Sequence, residues 1–243
     1  MPRMLLAIDA GNTAIKIGCH DGQTWQSKQR IGWSDFYLEP MRYLRQSSHP
    51  IAIASVVGAT FQSVLERILP DCPKLWVQAT AQACGVTNQY QKDQLGADRW
   101  AMLIAARAMV QQPCIVVSLG TALTVDALTA DGVFLGGSIA PGVKLMRAAL
   151  ARGTHGIQVP LGNVCVIPGN TADAVETGIV YALLGGIEKM IANFEPQSRD
   201  HLHVILTGGD AHLLAPHLTR PVHVVDNLVL EGLIVLAQKE DFL

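Results

Sequence analysis

Met4-Leu-Leu-Ala-Ile-Asp-Ala-Gly-Asn-Thr-Ala-Ile-Lys-Ile-Gly18 is a short apolar run, a small polar turn and an alternating run, followed by the turn signal His20-Asp21-Gly22. The pattern predicts strand, glycine turn, strand. It returns in Cys114-Ile-Val-Val-Ser-Leu-Gly-Thr-Ala-Leu-Thr-Val-Asp-Ala-Leu128, which runs into Ala130-Asp131-Gly132. Each copy sets a Gly and then a Thr between its strands and an Asp-Gly after the second, so we read a duplicated unit of domain length rather than a solenoid period. Between the copies, Ile51 to Gly58 predicts a third, buried strand. Phe61 to Leu69 has helical spacing up to Pro70, Leu75 to Val77 forms a short strand, and Arg99 to Gln111 is a helix closed by Gln112-Pro113. Beyond the second copy, Val143 to Arg152 and Thr171 to Ile191 have helical character. His203 to Thr207 reads as a buried strand ending in Gly208-Gly209-Asp210, and Leu228 to Gln238 as a closing helix. The expected fold is α/β with two duplicated lobes, residues 1–113 and 114–243.

The 243 residues leave room for one large domain or two compact ones at about 100 to 200 residues each. The hydrophobic set makes up 49% and charged residues 16%, which supplies a core and excludes intrinsic disorder. A formal charge of -2 gives no global field for a nucleic acid or an anionic membrane, so neither is expected as a partner, and an anionic ligand must be held locally. The five cysteines include no Cys-x-x-Cys pair, which argues against a disulfide framework and a zinc site and favours a reducing compartment. The apolar run after Arg3 is too short for a signal peptide, and no stretch approaches the ~20 apolar residues of a membrane span. A cytoplasmic location is expected.

Three strand-terminal turns combine glycine with a hydroxyl or carboxylate: Asp9-Ala-Gly-Asn-Thr13, Ser118-Leu-Gly-Thr121 and Thr207-Gly-Gly-Asp210. Glycine lets backbone N–H groups approach a phosphate, Thr adds a donor, and Asp can hold Mg²⁺ directly or through water. One such turn is commonly just a turn, whereas three of them, two in a repeat, point to a nucleotide. Neither a P-loop nor a Gly-x-Gly-x-x-Gly fingerprint is present.

Asp9-Ala-Gly-Asn-Thr13 with Lys16, Leu95-Gly-Ala-Asp-Arg99, Gly120-Thr-Ala-Leu-Thr-Val-Asp126, Gly136-Gly-Ser-Ile-Ala-Pro-Gly142 and Asn170-Thr171 occur in this order, with Glu231-Gly232 near the end. Together they resemble the motifs of type III pantothenate kinase, of the acetate kinase, sugar kinase, Hsp70 and actin superfamily. The resemblance implies two ribonuclease-H-like lobes of the actin-like ATPase kind with ATP between them. It implies transfer of the ATP γ-phosphoryl to the 4′-hydroxyl of pantothenate, the first step of coenzyme A synthesis, by a homodimer. Carried over by position, it makes Asp9, Ala10, Gly11, Asn12, Thr13, Ala14, Ile15 and Lys16 the first phosphate motif, with Asp9 near Mg²⁺ through phosphate or water, and Thr121 the second phosphate contact. Asp98 becomes the general base on the pantothenate hydroxyl and Arg99 the partner of its carboxylate. Gly96, Ala97, Tyr90 and Thr171 complete the substrate set. Arg can grip a carboxylate through two parallel hydrogen bonds, and a carboxylate beside an alcohol can accept its proton.

The bland readings stay beside these. Asp98-Arg99 suits a helix start, Lys16 suits a solvated strand face, and Tyr90 suits packing with a wet hydroxyl. Asp126 suits either the phosphate site or a buried hydrogen bond, and His201 and His203 either a metal or an edge-strand pair facing solvent. Gly178 and Gly185-Gly186 in the helix from Thr171 predict close packing against another backbone, and that helix is the candidate for part of the dimer contact. Ser118 departs from the family, which usually has Asp there, associated with a monovalent cation such as K⁺ or NH₄⁺. A neutral oxygen predicts weaker cation dependence. The alternative function is a catalytically weak or inactive member acting as a regulatory accessory protein, because the family also resembles accessory factors of virulence-gene transcription.

Overall fold

The computed structural model describes residues 4–44, 49–69, 71–91, 93–155, 157, 160–197 and 201–243, with the side chains of all of these but 41 and 61. Arg3 and Pro70, used above, lie outside the described residues. Contacts group the chain into two compact units, Met1–Gln111 with Asp131–Phe134 and Asn227–Leu243, and Gln112–Ala130 with Leu135–Asp226. The first crossing between the units falls at Gln112. The last helix groups with the first unit.

The first unit holds β1 (Leu5–Ala10), β2 (Ala14–His20), β3 (Trp25–Gly32), α1 (Trp33–Leu38), α2 (Pro40–Leu44), β4 (Ile51–Ser55), α3 (Ala59–Ile68) and β5 (Lys74–Trp76). It continues through β6 (Gln82–Ala83), β7 (Val86–Asn88) and α4 (Ala97–Met109). Its sheet has the order β3-β2-β1-β4-β5. β1 is antiparallel to β2 and parallel to β4. Ile8, Ile15, Ile51, Ile53, Phe36, Leu44 and Leu65 are wholly buried in one cluster. At about 1.5 to 3 kcal/mol for each large side chain removed from water, this cluster is the main force holding β1 and β2 in register.

The second unit holds β8 (Cys114–Leu119), β9 (Ala122–Leu128), most of β10 (Val133–Pro141), α5 (Val143–Gly153), α6 (Thr171–Phe194), β11 (His203–Thr207), α7 (Ala211–Leu214) and β12 (His223–Val224). Its strands run β12-β11-β8-β9-β10. Read from β10, this is the order of the first sheet, with β8 in the place of β1 and β11 in that of β4. β8 is likewise antiparallel to β9 and parallel to β11. The duplication expected from the two strand-turn-strand stretches is therefore present in the topology, and the fold is α/β with two sheets. α6 buries Ile179, Val180, Leu183, Ile187 and Ile191 against Val117, Leu119 and Val125.

The first strand pair of β10, Val133 and Phe134, belongs to the first unit and is parallel to Thr87 and Asn88 of β7. α8 (Leu228–Lys239) packs on α4, β1 and β4, which is why it groups there. Trp25 Nε1 and Lys28 Nζ both donate to Glu231 Oε1 of α8, at 2.9 and 3.0 Å, and tie that helix to β3. Among the described residues no helix is long and apolar enough to cross a membrane, and no disulfide forms.

Candidate functional site

In the first unit the antiparallel register sets Asp9 opposite Lys16, and their side chains form an ion pair at 3.1 Å. Asp9 is buried, and burial raises its carboxyl above the ordinary value while the Lys16 charge opposes the shift. Lys16 is thus paired rather than merely solvated. The turn between the strands closes through Gly11 N–H donating to Ala14 O at 3.2 Å. Asn12 and Thr13 are exposed at its tip. Ala10, Ala14 and Ile15 are buried, so only their backbone groups remain to meet a ligand.

Trp33 does not belong to any sequence motif considered above. Its indole N–H is shared between two carbonyl oxygens of this turn, Gly11 O at 3.2 Å and Asn12 O at 3.3 Å. Strand pairing explains how it gets there: Gly32, just before it, lies opposite Ala14 at the turn end of β2.

The Leu95 to Arg99 stretch opens α4, with Gly96 in the N-cap position. Asp98 Oδ1 accepts the Arg99 N–H at 2.7 Å, so the helix-start reading of Asp98 is realised in part. A Cβ on Gly96 would come 2.6 Å from Asp98 Oδ1 and 3.5 Å from Val56, so the side chain at 96 must be absent for Asp98 to hold this position. Val56 N–H in turn donates to Ala10 O at 3.2 Å, which connects the end of β1 to the start of α4. Ser55 Oγ, next to it, is buried with no hydrogen-bond partner.

Arg99 is buried and lies against two rings, with its guanidinium carbon 5.2 Å from the centre of Tyr90 and 5.8 Å from that of Phe134. The rings are 5.7 Å apart. Each aromatic face attracts the cation electrostatically and offsets part of the cost of burying it. Tyr90 is oriented by its N–H, which donates to Asn88 Oδ1 at 2.9 Å. Phe134 was not singled out in the sequence, because its partners are set by the parallel pairing of β10 with β7 and are far from it along the chain.

In the second unit Ser118 lies opposite Thr124 on β9 and beside Thr207 on β11, which places three hydroxyl residues in one row across the sheet. Thr124 Oγ1 is buried without a hydrogen-bond partner. Thr121 is exposed at the tip of the β8–β9 turn, which closes through Gly120 N–H to Ala122 O at 3.0 Å. Gly142, the N-cap of α5, donates its N–H to Thr121 O at 3.0 Å. A Cβ at 142 would clash with the carbonyl oxygen of Gly120, so glycine alone permits this approach. Asp126 is fully buried on β9 opposite Val116.

Thr171 is the first residue of α6 and is exposed. Asn170 caps that helix by accepting from Asp173 N–H at 2.9 Å. His201 and His203 have ring centres 5.3 Å apart; His203 pairs with Cys114 of β8, while the pairing of β11 with β12 covers Ile205 and Leu206 and does not reach it. The structure therefore brings together Asp9 with Lys16, Gly96 with Asp98, and Arg99 with Tyr90. Thr121 and Thr171 belong to the other unit.

The donors fit their implied ligands unequally. Exposed turn amides and hydroxyls suit phosphate oxygens. Among the described residues no three Asp, Glu, His or Cys side chains gather to hold a metal, and Mg²⁺ commonly keeps its waters and binds through one or two carboxylates and phosphates. Asp9 can serve in that way. The row around Ser118 presents neutral hydroxyl oxygens from Ser118, Thr124 and Thr207, with no carboxylate among the three to balance a bound cation.

Residues 5–193 match the family model described as type III pantothenate kinase. A type III pantothenate kinase of Nitrosospira multiformis is 41% identical over 244 residues, covering 98% of this chain and 93% of that protein. Among solved structures, a protein of Campylobacter jejuni described as a Baf family transcriptional activator has a TM-score of 0.61 at 19% identity, over 98% of this chain and 100% of the other. An inorganic polyphosphate/ATP-glucomannokinase of Arthrobacter sp. strain KM has a TM-score of 0.51 at 16% identity, over 98% and 99%. At these identities the two structures speak for the fold alone.

Proposed function

The chain belongs to the type III pantothenate kinase family, and from that premise we propose how its own residues carry the reaction. The protein is an ATP-dependent kinase that phosphorylates the 4′-hydroxyl of pantothenate in coenzyme A biosynthesis. The observation that best supports a site for this substrate is the group of Asp98, Arg99 and Tyr90 at the start of α4, with Arg99 set against aromatic rings.

In this reading Arg99 binds the pantothenate carboxylate, with Tyr90, Gly96, Ala97 and Thr171 lining the substrate. Asp98 accepts the 4′-hydroxyl proton as that oxygen forms its bond to the γ-phosphorus. The bond from the γ-phosphorus to the bridging oxygen breaks, and ADP leaves with the electron pair. The turn from Asp9 to Lys16 and the Thr121 hydroxyl hold ATP phosphates. Asp9, through phosphate or water, would hold the Mg²⁺ carried by the nucleotide, which would supply charge neutralisation, and Lys16 keeps the Asp9 carboxylate in place. Catalysis of this kind is chiefly positioning and electrostatics.

The test is ADP release by the purified protein with Mg²⁺-ATP, with and without pantothenate, in sodium and in potassium buffer. Release is expected to require pantothenate. Asp98→Asn should lower turnover about 10²-fold or more with ATP binding retained, the scale of a lost general base. Unchanged turnover would remove Asp98 from that role. Because Ser118 offers no charge, similar rates are expected in the two salts, whereas strong activation by potassium would show that other groups hold a cation. No observation favours the regulatory reading.

The protein acts as a homodimer in the cytoplasm in this proposal. Gly178, Gly185 and Gly186 meet no other atoms within 4 Å of an added Cβ, so the packing expected for them is not made within the described residues of the chain. On the same helix Tyr181 is 47% exposed and its hydroxyl donates to Cys165 O at 3.2 Å, and the next two residues, Val166 and Ile167, are 86% and 87% exposed, an apolar set that a second copy would cover. The expected mass in solution is twice the 26.1 kDa of the chain, measured by light scattering. A Gly178→Arg variant should halve it.

A further inference from the structure

We infer that Trp33 is a positioning residue for the nucleotide phosphates, acting through the backbone of the β1–β2 turn. This rests on the kinase reading above and deepens it by naming what orients the first phosphate turn.

No peptide bond in the described chain is cis. In a trans peptide the C=O and the following N–H point in opposite directions. The Trp33 indole N–H holds both Gly11 O and Asn12 O on its own side, at 3.2 and 3.3 Å. The N–H groups of Asn12 and Thr13 share those two peptide planes, so they are directed away from the indole. Two neighbouring amides with a common direction make an anion-binding concavity. The exposed Asn12 and Thr13 side chains stand at the same tip.

The second unit shows the same need met by other means. Gly32 and Gly142 occupy matching places, each the N-cap of the first helix after its unit's third strand. In the second unit the backbone N–H of Gly142 binds the turn carbonyl of Thr121 directly, at 3.0 Å. In the first unit the indole one residue later does so. A carbonyl of the strand-connecting turn is thus restrained from the start of the following helix in both repeats, once by backbone and once by a side chain. Trp33 itself lies against Phe36 and Tyr37, with ring centres at 6.0 and 6.1 Å.

Trp33→Phe keeps a ring on Phe36 and Tyr37 and deletes the N–H donor. The expected result is an apparent KM for ATP raised about three- to tenfold, the scale of one lost neutral hydrogen bond, with the KM for pantothenate unchanged. A purely structural role would lower the melting temperature and leave the KM for ATP alone. An ATP KM within about twofold of wild type, below the loss of one such hydrogen bond, overturns the inference. If the variant does not fold, the decision passes to the isotope-labelled indole N–H resonance of Trp33 in the wild-type protein. It should move when Mg²⁺-ADP is added and not when pantothenate alone is added, and a resonance unmoved by saturating Mg²⁺-ADP overturns the inference. Calorimetric binding of Mg²⁺-ADP to the wild type tests the kinase reading separately, since that binding does not depend on how the turn is supported.

Discussion

The β1–β2 and β8–β9 turns are built on one plan and differ in charge. Asp9 and Ser118 each lie two residues before the glycine of their turn, and each faces a partner across the antiparallel pair: Lys16 for Asp9, Thr124 for Ser118. An ion pair between a buried Asp and a partly exposed Lys in the first repeat is a pair of hydroxyls in the second. The second turn is also shorter by one residue, since Ala10 pairs with Ile15 but Leu119 with Leu123. In the proposed reading the difference separates two tasks. The charged turn can manage a cation and its phosphates, whereas the neutral one offers hydrogen bonds alone. Topology was retained where the core demands it, and the chemistry changed where side chains reach the turn.

The largest effect on this contrast should come from removing the charge at Asp9. Asp9→Asn is expected to lower kcat about 10²- to 10³-fold, the scale of losing one electrostatic contact to the reacting phosphates. Stability should move the other way. Burial raises the Asp9 pKa above 3.8, so the folded protein binds this proton more tightly than the unfolded chain does. The charged form therefore costs stability at pH above the folded pKa, and the cost fades as pH falls through it. Lys16 is partly exposed and can be solvated without its partner. The Asp9→Asn protein should melt at or above the wild-type temperature at about pH 7, with the gap closing as the pH falls through the raised carboxyl pKa. A variant that is less stable at neutral pH would mean that the ion pair holds the turn together and that Lys16 outweighs burial.

How far the sequence could be read follows from the same contrast. The strands that carry the repeat were legible because β1, β2, β8 and β9 are dense in aliphatic residues and end in glycine turns. β3 was not, because Gln26 to Arg30 are exposed polar residues on an outer strand with no apolar face to reveal them. The place of α8 was equally hidden, since the helix itself is evident from Leu228 to Gln238 while its packing on α4 is a contact between distant parts of the chain. In the candidate site, the phosphate turns were singled out by their glycine, hydroxyl and carboxylate residues, and the substrate residues by resemblance. Their supports were not: Trp33 and Phe134 act through strand pairing, and neither the period nor the spacing of the sequence encodes which turn carbonyl an indole will reach. Ser118 could be recognised as a departure, but its opposite number Thr124 emerged only with the register.

A smaller and sharper test restores charge to the second turn. Ser118→Asp would place a carboxylate beside Thr124 Oγ1, which is buried and lacks a partner, and beside Thr207. The row would then contain an anionic oxygen flanked by hydroxyl oxygens, a set suited to a monovalent cation. Without one, the half-buried carboxylate is expected to cost about 1 to 3 kcal/mol of stability, because desolvation opposes its charge and the residue across the strand pair is a threonine where Asp9 has a lysine. Potassium should return part of that loss by binding the folded state, and the melting temperature should rise with its concentration while the wild type responds little. Turnover should follow the same salt. If the variant melts at one temperature in sodium and in potassium, the Ser118 row is not a cation site in either form, and the two turns differ in a charge that the second never used.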